Sequence, residues 1–175
     1  MKLHELFEDA TIPELRRNIE TGFPNTKKRQ HATNEVRVNN LQYTPVLQGG
    51  LLRVNSKTST NNGNQHTQIL DLRNISFEGQ PTDLNVTFMA RDNRDYYMRP
   101  VQLNTTNVGV FCDCDDYIMR FANYNIQNNC HVGPKPHPYV RKTDDRPSVN
   151  PGKVPGLCKH LLRVVDDLKR YGLLT

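Results

Sequence analysis

The chain has 175 residues, a formal net charge of +5 and 35% hydrophobic residues, and it contains no Trp. This length suffices for one domain with its own core, while the low apolar fraction indicates a modest core and long surface loops. No apolar stretch approaches the roughly 20 residues of a membrane span, and the first residues lack the apolar segment of a signal peptide. We therefore expect no membrane partner and synthesis in a reducing cytoplasm, where the four cysteines are not expected to form a disulfide scaffold.

The first part of the chain, residues 1–34, is predicted to be an N-terminal helix followed by a basic arm. Pro13 suits a first helical position, and Gly22 with the following Pro24 would end an amphipathic helix that lies within residues 1–23. The polar residues 24–34 contain the densest basic cluster of the chain, Lys27-Lys28-Arg29.

Residues 35–106 are predicted to form an antiparallel β body. The clearest signal is a hairpin, in which 51–54 and 68–72 flank the loop Asn61-Asn62-Gly63-Asn64, because these loop residues tolerate left-handed backbone conformations. Further strand candidates lie at 36–38, 41–43, 83–90 and 95–101. We expect one sheet of about four to six strands.

Residues 107–175 are predicted to be a zinc-binding module that packs with the β body as one unit. A strand at 107–111 leads into Cys112, and Asp115-Asp116 can cap a helix that runs to Phe121. An irregular segment over 123–156 follows, with a long Pro-rich loop at 129–156. A final helix within 157–174, ending near Gly172, completes an α+β fold.

Two closely spaced pairs, Cys112-Asp113-Cys114 and Cys158-Lys159-His160, are the candidate metal ligands. In extended backbone the two sulfurs of a Cys-x-Cys pair point to the same side. Thiolate and imidazole are ligands that Zn²⁺ prefers, so we predict one structural Zn²⁺ per chain on these four side chains. Two alternatives remain: Cys130 or His131 replaces one ligand, or the cysteines are ordinary core residues beside a surface histidine.

An enzyme is not expected. Three thiolates and one imidazole fill a tetrahedral zinc site and leave no position for a substrate. The acidic residues beside the pairs more often cap helices or face water than act in catalysis, and the sequence contains neither a nucleotide-binding glycine loop nor a recognisable nucleophile–base grouping. We therefore predict a non-enzymatic protein without a small-molecule substrate.

The pattern Cys112-Asp113-Cys114 … Cys158-Lys159-His160-Leu161 resembles the SWIM-type zinc finger, in which Cys-x-Cys is followed at a variable distance by Cys-x-His. The resemblance implies zinc on these four residues in a small β-β-α finger. The two pairs are separated by residues 115–157, which is longer than is usual for this finger, and an inserted Pro-rich loop explains the excess.

A narrower resemblance concerns virion structural proteins of contractile-tailed bacteriophages that carry this finger. It is based on the segments 111–117, 150–151 and 155–161 and on the opening residues 1–8. It implies a non-enzymatic structural component of the tail, baseplate or neck, present in several copies in a symmetric assembly with other virion proteins. The localisation would be the virion, after synthesis in the host cytoplasm.

The alternative function is a zinc-finger nucleic-acid-binding protein, because the positive net charge permits contact with phosphates. The candidate contacts to nucleic acid or to a protein partner are basic residues of the arm and the Pro-rich loop: Lys27, Lys28, Arg29, Lys135, Arg141, Lys142, Arg146 and Lys153.

Overall fold

The computed structural model describes residues 10–22, 32–137, 140 and 148–175. Within these ranges the fold is α+β, as predicted, with two antiparallel sheets, an N-terminal helix and a C-terminal helix that follows the second ligand pair. Buried side chains from both sheets and from the helices form one hydrophobic cluster. None of the helices in the described ranges is long and apolar enough to cross a membrane.

The first sheet begins with three consecutive strands: β1 (Val36–Val46), β2 (Leu51–Thr60) and β3 (Gln65–Leu72). The predicted hairpin is confirmed, since β2 and β3 pair antiparallel and Gly63 in the connecting turn has a φ of +80°. The candidates at 36–38 and 41–43 form a single strand, β1, because a bulge between Val38 and Asn40 absorbs the break in alternation.

A second sheet contains three short strands: β4 (Phe77–Glu78), β5 (Val86–Met89) and β6 (Asp95–Met98), in the order β4-β6-β5. The expectation of a single sheet is therefore wrong. The turn-rich chain after β3, where Asn74 has a φ of +59°, interrupts the pairing, and a separate small sheet packs on the first through Tyr43 and Phe88.

The fourth strand of the first sheet, β7 (Val108–Cys112), pairs antiparallel with β3 and gives the order β1-β2-β3-β7. The predicted strand before the Cys-x-Cys pair is thus confirmed. In this pairing Gln68 lies directly opposite Cys112.

Helix α1 (Ile12–Gly22) lies within the range predicted for the N-terminal helix. It begins at a capping box, since the carboxylate of Glu14 accepts hydrogen bonds from the backbone N–H and the hydroxyl of Thr11 at 2.7 and 2.8 Å. Its apolar side buries Leu15 and Ile19 completely. Residues 1–9 and 23–31, which include the rest of the predicted helix and the basic arm, lie outside the described residues.

A π-helical turn (Tyr117–Phe121) leads into a short helix, α2 (Ala122–Gln127). The predicted start of the irregular segment at residue 123 is therefore wrong, because the helix continues to residue 127 and buries Ala122 and Asn125. Asp115 and Asp116 stand at the start of this helical segment, as predicted, although the side chain of Asp116 makes no capping hydrogen bond and lies 3.3 Å from Arg120.

The last helix, α3 (Lys159–Arg170), is shorter than the predicted range. It ends before Gly172, whose φ of +74° suits the predicted helix end. The following residues are extended and not helical: Val101 donates its N–H to the carbonyl of Leu173, and Thr175 donates its N–H to the carbonyl of Val101, both at 2.9 Å.

Candidate metal centre

The four predicted ligands converge at the junction of the first sheet with α3. Cys112 is the last residue of β7 and Cys114 follows two residues later, while Cys158 immediately precedes α3 and His160 lies in its first turn. One ligand atom from each residue lies within 4.8 Å of every other, and all four side chains are buried.

These separations fit a tetrahedral metal ion. The Nδ1 atom of His160 lies 3.9 Å from the Sγ atoms of both Cys112 and Cys158. A zinc tetrahedron with its usual bond lengths has edges of about 3.6–3.8 Å, so only small side-chain movements separate the two geometries. The cluster can therefore hold a metal ion.

The sheet positions Cys112 because alternate residues of a strand face the same side. The ring of His66, from β3, lies on this side and is tilted against the ring of His160, with 4.4 Å between their centroids. The Nε2 atom of His160 is buried and has no hydrogen-bond partner among the described residues.

Asp113, between the two cysteines, connects the pair to β3. Its carboxylate accepts hydrogen bonds from the backbone N–H of Thr67 at 3.1 Å and lies 3.1 Å from Nδ1 of His66. This residue was expected to cap a helix or to face water. Its side chain is exposed, as expected, and its contacts in addition hold the chain beyond the end of β7 against the neighbouring strand.

Two of the sulfurs accept hydrogen bonds from groups outside the ligand set. The backbone N–H of Tyr117 donates to Sγ of Cys114 at 3.4 Å, and Nε2 of Gln68 donates to Sγ of Cys112 at 3.6 Å. Sequence reasoning missed Gln68. The strand contains several polar residues, so nothing in the sequence singled out Gln68, and its pairing with β7 could not be deduced from spacing.

The thiols of Cys112 and Cys158 have pKa values shifted in opposite directions. Burial raises the pKa of Cys158 well above its usual value, and hydrogen bonds with Cys112 and Cys114 raise it further. At Cys112 burial also raises the pKa, but hydrogen bonds from Cys114, Cys158 and Gln68 outweigh it, so the pKa is well below its usual value. The cluster thus stabilises an anionic sulfur, the form that binds a metal cation.

Cys130 and His131, the alternative ligands, lie outside the cluster of four. Cys130 is buried, with its Sγ 3.5 Å from the carbonyl oxygen of Asn125. The His131 ring lies 2.9 Å from the hydroxyl of Tyr117 through Nδ1 and 3.1 Å from the carbonyl of Pro134 through Nε2. Cys130 therefore holds the start of the Pro-rich loop to α2, and His131 holds it to the π-helical turn.

The predicted basic contact residues are only partly described. Lys135 and Lys153 are exposed, and Lys153 has a φ of +51°. The remaining candidates lie outside the described residues: Lys27, Lys28, Arg29, Arg141, Lys142 and Arg146.

Comparison with family models, with curated proteins and with solved structures finds no match to this chain. The similarity to the SWIM-type finger accordingly depends on the two ligand pairs and their convergence.

Proposed function

We propose that Cys112, Cys114, Cys158 and His160 bind one structural Zn²⁺ in a SWIM-type finger. The observation that carries this proposal is the convergence of three buried sulfurs and one buried imidazole from two distant parts of the chain. Zinc bound there would cross-link the end of β7 to the start of α3. Structural zinc sites contribute roughly 10 kcal/mol or more to folding, which exceeds the entropic cost of closing the loop between the pairs.

A structural role follows from the donor set. Four protein ligands complete a tetrahedral coordination shell, whereas catalytic zinc sites keep a position for water or substrate. The buried ligands of this centre also leave no open approach to the sulfurs. The proposal is therefore a non-enzymatic protein in which the metal centre stabilises the fold.

We further propose that the chain is a structural component of a tailed-phage virion, in the tail, baseplate or neck. The resemblance to finger-bearing virion proteins supports this proposal, as does the low hydrophobic content of 35%. The metal centre would fix the base of the Pro-rich loop, and this loop and the N-terminal arm would contact other virion proteins.

Zinc binding is tested by elemental analysis of the purified protein. We expect about one Zn per chain, and no stoichiometric zinc after Cys112 and Cys158 are both changed to Ser. Cys130→Ser is the matched control, because Cys130 is an equally buried cysteine outside the cluster, and it should retain the metal. Stoichiometric zinc in the double variant would refute the ligand assignment.

The virion role is tested separately by mass spectrometry of purified particles, in which the chain should be present at several copies. Its absence from mature particles would refute the role without affecting the zinc assignment. In that case, salt-dependent binding of the pure protein to DNA, absent from a neutral control protein, would support the nucleic-acid alternative.

A further inference from the structure

The side chain of Gln68 lies beside the metal ligands with every polar atom in a hydrogen bond. Its Oε1 accepts a hydrogen bond from Ser56 Oγ at 2.9 Å, and its Nε2 donates to Thr58 Oγ1 at 3.0 Å and to Cys112 Sγ at 3.6 Å. An amide nitrogen carries two hydrogens, so both are used. All four residues are at most 3% exposed, which removes competition from water.

The orientation of this amide determines which form of the sulfur it can stabilise. The hydroxyl of Ser56 donates to the amide oxygen and so keeps the amide nitrogen on the side of Cys112. The opposite orientation would place the electron-rich oxygen against the sulfur, which a thiolate would oppose. The observed orientation is the one that suits an anionic, metal-bound sulfur, because a hydrogen bond to an ionised acceptor is stronger.

We propose that Gln68 is a positioning residue of the metal centre, which donates a hydrogen bond to the sulfur of Cys112 and thereby increases the affinity of the centre for its metal ion. This inference depends on the proposed metal-binding function and extends it to three residues of β2 and β3: Ser56 and Thr58 orient the amide, and the amide orients the sulfur. The register explains the arrangement, since Gln68 pairs with both Ser56 and Cys112 across neighbouring strands.

The first measurement compares Gln68→Met with the matched control Gln65→Met, which makes the same change at an exposed position of the same strand. Zinc affinity is measured on the full chain by competition with a chromophoric chelator. Loss of an outer hydrogen bond to a ligand typically weakens metal binding by about 10- to 100-fold, and we expect a loss in this range for Gln68→Met and none for Gln65→Met.

A second measurement separates this role from general destabilisation of the core. In the Co²⁺-loaded protein, loss of the N–H donor makes the sulfur richer in electrons, so the thiolate-to-metal charge-transfer band should move to longer wavelength in Gln68→Met. Leu72→Val trims a fully buried side chain of the same strand outside the Gln68 hydrogen-bond network, and its band should stay at the wild-type position. An equal shift in both variants would overturn the proposal.

The outcomes distinguish a failure of the proposed metal binding from a failure of the role assigned to Gln68. If the wild-type chain binds no metal, the proposed metal-binding function fails. If the wild type binds zinc but Gln68→Met keeps its affinity within about twofold and its band does not move, only the role of Gln68 fails. If Gln68→Met does not fold, NMR of the wild type decides: one Nε2 proton of Gln68 must shift downfield on zinc binding, and an unchanged resonance overturns the inference.

Discussion

Gly156, two residues before the candidate metal ligand Cys158, lies against the π-helical turn with no space for a side chain. A Cβ atom at this position would lie 2.6 and 2.8 Å from ring atoms of Phe121 and 3.2 Å from Ile19. The backbone N–H of Gly156 donates to Asn125 Oδ1 at 2.9 Å, and its carbonyl accepts from Asn125 Nδ2 at 3.0 Å. The backbone therefore cannot move away from the ring without breaking these bonds.

We expect Gly156→Ala to lower the free energy of unfolding by about 1–3 kcal/mol, the usual cost of overpacking a dense core. Urea unfolding of the purified protein measures this change. Gly79→Ala serves as the control, because a Cβ there meets no atom within 4 Å, and its effect should stay within about 0.5 kcal/mol. Equal stability of the two variants would contradict the close packing at Gly156.

His131 is the residue whose titration reports on the start of the Pro-rich loop. Burial lowers its pKa below the ordinary 6.5, the carbonyl of Pro134 raises it, and the charge of Lys135 lowers it further. Because the pKa of His131 is lower in the folded state, the unfolded chain binds a proton at this residue at a higher pH than the folded protein does. The contribution of His131 to stability is therefore complete above pH 6.5 and decreases as the pH falls towards the folded pKa.

NMR titration of the His131 ring should accordingly give a midpoint below 6.5 in the folded protein. Lys135→Met should raise this midpoint, since it removes a positive charge that disfavours the imidazolium. A midpoint at or above 6.5 in the wild type, or a lower midpoint in the variant, would contradict the described surroundings of the ring.

At the scale of elements, two buried asparagines hold the end of the Pro-rich loop to the helical segment. Asn125, in α2, binds both backbone groups of Gly156 and donates to the hydroxyl of Tyr117 at 3.2 Å. Asn150 donates to the carbonyls of Arg120 and Val154 at 2.9 and 2.8 Å. The chain is thus fixed immediately before it supplies Cys158.

Replacement of Asn125 by Ala should cost about 1–3 kcal/mol, because it leaves the buried N–H and carbonyl of Gly156 without partners. Asn128→Ala is the matched control in the turn that follows α2, since Asn128 is exposed and bonds only to the carbonyl of Tyr124 in the described contacts. Thermal or urea unfolding of both variants measures the difference. If Asn125→Ala were no more destabilising than the control, the loop would have to be held mainly by the metal centre.

The elements that sequence patterns predicted correctly are those with local signals. The turn residues around Gly63 predicted the β2–β3 hairpin, and the apolar periodicity of 157–168 predicted α3. The division into two sheets was not predicted, because it depends on contacts between residues far apart in sequence. The same is true of the hydrogen bonds that join Leu173 and Thr175 to Val101. The continuation of the helix to residue 127 depends on burial of Asn125, a residue type that by itself favours a turn.

The candidate site shows the same division between local and long-range information. The clustering of the four candidate ligands could be predicted because each pair is close in sequence and its chemistry suits one metal. Gln68 was not, because its contact with Cys112 arises only from the register of β3 with β7. The contact between His66 and Asp113 beside the centre was not predicted for the same reason.

At the scale of the whole molecule, the proposed metal connects the C-terminal part of the chain to the sheet. We expect chelation of zinc to destabilise α3 and the segment 112–114 first, while the β1–β2 pairing persists longer. Hydrogen exchange after addition of a chelator measures this order, and the amides of β2 are the internal control. Simultaneous loss of protection in α3 and β2 would show that the protein unfolds in one cooperative step.

The separation of the two ligand pairs also has a consequence for synthesis of the chain on the ribosome. At about 5–20 residues per second, Cys158 is added roughly two to nine seconds after Cys114. During this interval the seven strands of the described residues have been synthesised, but the nascent chain carries only the Cys-x-Cys half of the proposed centre. Availability of zinc at the moment when α3 emerges would then determine the yield of correctly assembled protein, so expression in zinc-depleted medium should produce aggregated chains that later addition of zinc recovers poorly.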